Sequence, residues 1–225
     1  MDLFLDTADV TVWDDLMPLG LFCGITTNPL LAAKAGLSYP DIDWAEMAAR
    51  AARLGARELH GQVYGPPESY LDWAGRFDEA AKSAGLRPVV KVPLVDKAIR
   101  QVPSLQKACC AILMTACYDP KQVIIASALG ADYIAPYFGR MLDAGLPAFD
   151  ALQEMLNITR SSGNKTRILV ASLRDSNQLS RLAEMGHDCF TISPSVTRLL
   201  LNDANTQKAL ELLEEAATQS YGKPG

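Results

Sequence analysis

The sequence has 225 residues, 49% of them hydrophobic, and a formal net charge of −5. This length suits one large domain or two small ones, and the apolar content is enough for a sizeable core. The acidic balance argues against nucleic acid or an anionic membrane surface as a partner, but it leaves room for a local basic pocket that binds a small anion. No apolar run approaches the ~20 residues of a membrane span. The chain runs from Met1 directly into a strand, so we expect no signal peptide.

The cysteines are five, scattered, and without a Cys-x-x-Cys spacing. Such a set is typical of a reducing compartment in which most thiols are buried, and it predicts a cytoplasmic protein. The only histidines are His60 and His187, so we do not expect a transition-metal site.

Strand and helix patterns alternate from the start of the chain. A first strand ends at Asp6, a second covers Phe22–Ile25 and a third covers Glu58–Val63. The capping-box pattern at Ser38-x-x-Asp41 predicts a helix before the third strand, with a face formed by Ile42, Ala45, Ala49 and Ala52. The helix after the third strand has an apolar face formed by Tyr70, Trp73, Ala74, Phe77 and Ala81.

The fourth strand, Arg87–Pro93, is apolar and β-branched and carries Lys91 in its interior. In a central strand such a run predicts burial on both faces. Burial removes water from an ammonium group and favours the neutral amine, a nucleophile that forms Schiff bases with carbonyls. The alternative is a lysine near a strand end whose ammonium group reaches solvent.

The second half of the chain continues the alternation. A helical stretch broken near Pro103 follows the fourth strand. The remaining strands are predicted at Ala111–Thr115, Asp132–Ala135, Arg167–Ala171 and Cys189–Ile192. The remaining helices are predicted to begin at Asp119-Pro120, at Pro147 and at Asp175, and two more cover Pro194–Leu201 and Asn205–Gln219. The last three residues, 223–225, are expected to be a frayed tail.

Eight strands alternating with helices, without a break in composition, predict one domain over residues 1–225. The expected fold is α/β, a single (β/α)8 TIM barrel with an extra C-terminal helix. An open doubly wound sheet is the alternative, but the sequence has neither G-x-G-x-x-G nor a Walker A loop to support it.

Active sites of such barrels lie at the carboxyl ends of the strands. The polar residues predicted there are, in strand order, Asp6, Thr26, Asn28, Gln62, Lys91, Thr115, Tyr137, Arg140, Ser172, Arg174 and Ser193. Each alone has a structural explanation, such as a helix cap, a turn or a solvated charge. Their convergence on one mouth, around a lysine, favours carbonyl chemistry.

In that chemistry Lys91 attacks a ketone, and the resulting iminium withdraws electrons so that the adjacent carbon–carbon bond breaks or forms. Tyr137 and Asp6 are the candidates for moving the proton of the neighbouring hydroxyl. Sugar hydroxyls or a water would be bound by Thr26, Asn28 and Gln62. A phosphate would be bound by Arg140, Ser172 and Arg174, close to where barrels usually bind phosphate.

Five motifs carry a resemblance to a known family: Leu5-Asp6-Thr7-Ala8-Asp9, Gly24-Ile25-Thr26-Thr27-Asn28-Pro29, Val90-Lys91-Val92-Pro93, Ala135-Pro136-Tyr137-x-x-Arg140 and Ala171-Ser172-x-Arg174. In this order and combination they resemble the transaldolase family, in its short branch of fructose 6-phosphate aldolases and small transaldolases. The resemblance covers nearly the whole chain. The segment 96–110 departs from the family pattern, and Cys110 and Met114 are expected to alter the pocket near the fifth strand.

The resemblance implies Lys91 as the Schiff-base lysine, Asp6 as an acid/base or charge partner and Asn28 as a ligand to substrate hydroxyls. It implies Thr115 near the catalytic water, and a phosphate site formed by Arg140, Ser172 and Arg174. It also implies an enzyme without a metal or another cofactor. Family members often assemble into ring-based decamers, so a homo-oligomer is expected, such as a decamer of pentameric rings, with residues 203–225 contacting a neighbouring subunit.

Transaldolases usually carry glutamate at the position of Gln62 and phenylalanine at that of Tyr137, whereas this pair resembles the fructose 6-phosphate aldolases. The expected substrates are phosphorylated sugars, fructose 6-phosphate or sedoheptulose 7-phosphate, from which a dihydroxyacetone unit is cleaved or transferred. One alternative is transaldolase proper, an enzyme of the pentose phosphate pathway. Another is a different barrel aldolase or isomerase, favoured by a second lysine at a neighbouring strand end; Lys97 and Lys107 fall on the helical stretch instead. The most remote is a non-catalytic sugar-phosphate-binding barrel.

Overall fold

The computed structural model describes residues 1–108, 111–161, 163 and 165–220. Its strands are β1 (Asp2–Asp6), β2 (Gly24–Thr26), β3 (Glu58–Gln62), β4 (Arg87–Pro93), β5 (Ala111–Cys117), β6 (Tyr133–Pro136), β7 (Arg167–Ile168) and β8 (Cys189–Ile192). Its α-helices are α1 (Val10–Leu16), α2 (Pro29–Lys34), α3 (Trp44–Arg53), α4 (Tyr70–Ser83), α5 (Asp96–Ile99), α6 (Val102–Lys107), α7 (Lys121–Ala128), α8 (Phe138–Asp143), α9 (Ala148–Ser161), α10 (Ser176–Glu184), α11 (Pro194–Leu201) and α12 (Ala204–Ser220).

The eight strands are parallel, and each one from β2 to β7 pairs with the strand before it in the sequence. β8 pairs with β1. The ring closes between β7 and β8, where Val170 bridges Phe190 and donates to the carbonyl of Cys189 at 3.0 Å. The α/β (β/α)8 barrel predicted from the sequence is therefore confirmed.

Alternate residues of each strand face the barrel interior, as the two-residue period of a strand requires. The interior cluster comprises Phe4, Val89, Leu113, Tyr133, Ala135, Leu169, Ala171 and Cys189. The residues between them pack outward against the helices, in a second core that includes Trp13, Phe77, Leu105 and Phe138. Met114 belongs to this outer core, so the expectation that it alters the pocket is wrong. Cys110 lies outside the described residues.

Charged side chains pair with each other at the amino end of the barrel. Arg87 bonds Glu58 at 2.7 Å, and Arg167 bonds Asp2 at 2.6 Å. Burial opposes ionisation of Glu58, but hydrogen bonds with His60 and Arg87 outweigh it and lower the pKa of Glu58 to about 2. These paired charges lie at the end of the barrel opposite the predicted site.

Several predicted elements are confirmed and others are corrected. The bounds of β4, β8 and α11 are as predicted, the α4 apolar face is buried, and the stretch around Pro103 divides into α5 and α6. The capping-box prediction is wrong. Ser38 donates to the side chain of Asp41 within a short 3-10 turn, and α3 starts later because Asp43 accepts the backbone N–H groups of Ala45 and Glu46.

The face predicted for α3 is also displaced, since Met47, Ala48 and Ala51 are its buried residues. The sequence interpretation missed α2 and α8, two short helices after β2 and β6. The tail, 223–225, lies outside the described residues. Within the ranges that the structure describes, no helix has both the length and the apolar character needed to cross a membrane.

Candidate functional site

A cavity of about 270 Å³ opens at the carboxyl ends of the strands. The sequence analysis gives a role to ten residues, and seven of them line this cavity: Asp6, Asn28, Lys91, Tyr137, Arg140, Ser172 and Arg174. The other three, Thr26, Gln62 and Thr115, do not line the cavity and lie beside residues that do. The topology thus brings together residues that are up to 168 positions apart, from Asp6 to Arg174.

Lys91 places a buried amine in the cavity. Its residue is 5% exposed, and its Nζ donates to the carbonyl of Thr27 at 3.1 Å. Leu113, Ala135 and Leu169 form apolar cavity walls from β5, β6 and the end of β7. Burial lowers the pKa of Lys91, while the charge of Asp6 acts in the opposite direction. Lys91 is therefore a desolvated amine rather than a side chain that extends into solvent.

Asp6 is held in place by two buried hydroxyls. Thr26 donates from Oγ1 to Oδ1 of Asp6 at 2.6 Å, and the Oγ1 atoms of Thr26 and Thr191 are 2.5 Å apart. A hydroxyl carries one proton, so Thr191 is the donor to Thr26. The chain of bonds from β8 through β2 to β1 fixes one oxygen of the Asp6 carboxylate.

Tyr137 begins the segment after β6 and faces Thr115 across the cavity wall. The Tyr137 hydroxyl is 2.9 Å from Oγ1 of Thr115, and the Arg140 guanidinium lies 4.8 Å from the centre of the Tyr137 ring. Burial raises the pKa of Tyr137, and the Thr115 bond and the Arg140 charge offset only part of this effect. At neutral pH the phenol therefore keeps its proton and is able to donate it.

Gln62 stands next to Lys91 in the sheet. The two residues are register partners on β3 and β4, so their side chains leave the sheet on the same, interior side. The Tyr39 hydroxyl binds the backbone of Gln62 twice, accepting from its N–H and donating to its carbonyl, both at 2.8 Å. Tyr39 thus stabilises the end of β3 from outside the cavity.

Asn28 has two roles that its position makes compatible. Its Oδ1 accepts the backbone N–H of Leu31 at 3.0 Å and caps α2. Its amide group still has two N–H donors for a ligand in the cavity that it lines.

Two arginines line the cavity, Arg140 on α8 and Arg174 after β7. Arg174 donates to Asp143 at 2.7 Å, whereas Arg140 forms no ion pair within the described parts of the chain. Ser172 lies between them in the cavity wall. This arrangement of two guanidinium groups and a hydroxyl is suited to a small anion.

Sequence reasoning gave no role to four polar lining residues, namely Lys34, Thr191, Ser193 and Ser195, and of these it placed only Ser193 at the mouth of the barrel. The alternation along β8 places Thr191 and Ser193 on the same face as Cys189, which is a signal that the sequence contains. Lys34 is an exposed residue at the end of α2 and was missed with that helix. It is a second lysine in the cavity, but it comes from a helix rather than from a strand end. Among the described residues, no group of three His, Cys, Asp or Glu side chains is placed to hold a metal ion.

Residues 67–223 match the family model described as Transaldolase/Fructose-6-phosphate aldolase. The "Probable transaldolase" of Phenylobacterium zucineum is 34% identical over 216 residues, which cover 94% of this chain and 94% of that protein. The "Probable transaldolase" of Anaeromyxobacter dehalogenans is 33% identical over 219 residues, with 93% and 95% covered. The chain belongs to the transaldolase/fructose-6-phosphate aldolase family. It is an enzyme of this aldol type.

Solved structures support the fold alone. Thiamine phosphate pyrophosphorylase of Pyrococcus furiosus superposes with a TM-score of 0.61 at 13% identity, covering 98% of this chain and 97% of that one. A lactate oxidase structure from Pediococcus acidilactici gives 0.58 at 14% identity, covering 85% of this chain and 62% of that longer chain.

The first prediction concerns the pH dependence of this transaldolase-family enzyme. Only the neutral amine of Lys91 attacks a carbonyl, and burial lowers its pKa, so the neutral fraction appears at a lower pH than for an exposed lysine. Reductive trapping with dihydroxyacetone and cyanoborohydride is expected to rise with pH through a midpoint below about 10.4, the ordinary lysine value. Peptide mapping measures modification of Lys91 at each pH.

The exposed Lys121, which pairs with Asp119 at 2.9 Å, is the internal control in the same digest. A midpoint for Lys91 that coincides with that of Lys121 would contradict a desolvated amine.

Proposed function

We propose that this enzyme is a class I aldolase, in which Lys91 forms a Schiff base with the ketone of a phosphorylated sugar. The substrate is fructose 6-phosphate or sedoheptulose 7-phosphate, and the unit cleaved or transferred is dihydroxyacetone. The observation that carries the proposal is the Lys91 amine, desolvated and directed into a polar cavity that also contains a fixed carboxylate and a neutral phenol.

The steps follow from the residues present. The Lys91 amine adds to the ketone carbon, and loss of water gives an iminium. A hydroxyl group lies two carbons from the iminium carbon. Removal of its proton turns that C–OH into an aldehyde and breaks the bond between this carbon and the carbon next to the iminium. The bonding electrons form an enamine, with the C=N electrons moving to the nitrogen. An aldose phosphate leaves. The enamine then takes a proton and is hydrolysed, or it attacks an acceptor aldehyde.

Asp6 and Tyr137 share the proton transfers in this scheme. The charge of Asp6 favours a cation at Lys91, and it would act on the iminium in the same way. Its position is fixed by Thr26, so the carboxylate is ordered before the substrate binds. Tyr137, bonded to Thr115, keeps its proton at neutral pH, so it serves as the acid, while the Asp6 carboxylate accepts the hydroxyl proton directly or through a water.

The substrate chain lies between two groups of ligands. Asn28 binds hydroxyls next to the reacting carbon through its free amide donors. Arg140, Ser172 and Arg174 bind the phosphate at the other end. The unpaired Arg140 makes this end of the cavity the favourable one for a dianion.

Residues Gln62 and Tyr137 favour fructose 6-phosphate aldolase activity over transaldolase proper of the pentose phosphate pathway. A neutral amide beside Lys91 is not a base that could act on a water, so the phenol is left to handle the proton. The two activities differ in whether water or an aldehyde consumes the intermediate. That competition is decided by a few kcal/mol, since each ~1.4 kcal/mol changes a rate ratio tenfold.

Borohydride reduction with fructose 6-phosphate tests the Schiff base. Intact mass and peptide mapping are expected to show a three-carbon adduct on Lys91, because cleavage leaves the dihydroxyacetone unit on the amine. Lys91→Ala and Lys91→Met should show no adduct and no turnover while keeping the circular dichroism of the fold.

The matched control is Lys34→Ala, which removes the other lysine of the cavity and should keep the adduct on Lys91. An adduct that disappears in Lys34→Ala and survives in Lys91→Met would reassign the nucleophile. The absence of any adduct on folded protein would favour the binding-barrel alternative.

The change Gln62→Glu tests how the intermediate is partitioned. It places a carboxylate beside Lys91, and the ratio of transaldolase to aldolase activity is expected to rise severalfold, about 1 kcal/mol in relative barriers. Product analysis from fructose 6-phosphate, with and without erythrose 4-phosphate, measures the ratio. An unchanged ratio at unchanged adduct yield would show that residue 62 does not partition the intermediate.

We further propose that the enzyme is cytoplasmic and homo-oligomeric, with α12 contacting a neighbouring subunit. Leu210, Leu212 and Leu213 of α12 are 49%, 67% and 68% exposed, an apolar set that a second subunit could cover. Native mass spectrometry should give a multiple of the 24.3 kDa chain, ten chains for a decamer of pentameric rings. Leu212→Glu should lower the mass, unlike Leu71→Glu on the exposed face of α4. A monomeric wild-type enzyme would refute the proposal.

A further inference from the structure

A backbone junction connects the two elements that carry the proposed phosphate site. Tyr137 bridges Ala171, and the backbone N–H of Phe138 then donates to the carbonyl of Ala171 at 2.9 Å. The next N–H, that of Gly139, donates to the carbonyl of Ser172 at 3.1 Å. The β6–β7 ladder therefore continues into the first turn of α8, where Arg140 is the next residue.

The junction depends on two unusual backbone positions. Ser172 has a φ of +66°, in the left-handed region that residues with a side chain rarely adopt. Its carbonyl oxygen lies so close to Gly139 that a Cβ there would be 2.0 Å away. The same Cβ would be 3.0 Å from Nε and 3.2 Å from Cγ of Arg174. Residue 139 thus has no room for any side chain, and the closest obstacle is backbone rather than a movable side-chain tip.

Two contacts position the side chain of Arg174. Its side chain lies across Gly139, and its Nη2 donates to Asp143, in the last turn of α8, at 2.7 Å. Arg140 on α8 and Arg174 after β7 are thereby held at a set separation, with Ser172 bonded to the glycine between them.

We infer that Gly139 is a positioning residue for the anion site, and that it sets the spacing of Arg140, Ser172 and Arg174 by allowing two backbones to touch. The identity of the anion as a sugar phosphate rests on the proposed function. The contact geometry does not depend on it. Lys91 lies on a different strand, β4, so the Schiff-base end of the cavity is independent of this contact.

The test is Gly139→Ala, with Gly75→Ala as the matched control. Gly75 lies within α4, and a Cβ there meets nothing within 4 Å. Calorimetric titration with inorganic phosphate should show a dissociation constant raised by about tenfold or more in Gly139→Ala, because displacements near 1 Å in positioned groups have effects of this size. KM for fructose 6-phosphate should rise by a similar factor. The Lys91 adduct formed with dihydroxyacetone, which has no phosphate, should keep its yield.

The outcomes separate this inference from the proposed function. Equal phosphate affinity in folded Gly139→Ala and in Gly75→Ala would overturn the inference, as would a wild-type enzyme that does not bind phosphate. If Gly139→Ala loses both the dihydroxyacetone adduct and the phosphate affinity, Gly139 supports the structure as a whole and the inference is overturned. The absence of any adduct in the wild type would instead contradict the proposed function and leave the phosphate titration to decide the inference.

A second variant pair keeps the test valid if Gly139→Ala does not fold. Glycine at position 172 lets the carbonyl turn away from a new Cβ, because it has no side chain to restrict φ. The variant Gly139→Ala/Ser172→Gly is then compared with Ser172→Gly alone. A weaker phosphate affinity in the double variant supports the inference, and equal affinities overturn it.

Discussion

The site depends on keeping the amine of Lys91 inside the barrel, where, among the described residues, it donates one hydrogen bond, to the carbonyl of Thr27. An amine in that position is favoured as the neutral species, because a charge there has lost most of its hydration. Asp6 limits the effect, since its carboxylate favours the cation. The two influences oppose each other, and in the mechanism proposed above they would give a nucleophile when the site is empty and a stabilised cation once an iminium forms.

Two layers of the barrel lie between Lys91 with Asp6 and the amino end: a layer of paired charges and a layer of apolar side chains. At the amino end, Glu58 and Arg87 pair with each other. Between that end and the cavity lie interior apolar side chains such as Phe4 and Val89. Lys91 itself lines the cavity at the carboxyl end, so that cavity is its route to substrate.

The sequence was sufficient to predict the fold because eight strand patterns alternate with helix patterns, which is typical of a closed parallel barrel. In such a barrel the carboxyl ends of all strands lie at the same end. It was less informative where the chain uses short helices. The six residues of α2 are too few to show a helical repeat of apolar positions, so the sequence does not distinguish this helix from a turn. Lys34, at its end, was therefore missed. Thr191 was predictable from the alternation along β8, but its bond to Thr26 is a tertiary contact between residues 165 positions apart, which no local pattern contains.

The same limit applies to Gly139, and it shows which features of a site a sequence conceals. A glycine before Arg140 looks like an ordinary turn residue, since sequence patterns register conformational freedom but not the approach of another backbone. The constraint becomes visible only with the carbonyl of Ser172 in place. The chemistry proposed for the site was read from residue types, while the inferred spacing of its charges depends on backbone contacts between neighbouring strand ends. If the anion is the substrate phosphate, as proposed above, substrate preference in this enzyme would depend on the β6–β7 junction as much as on the arginines themselves.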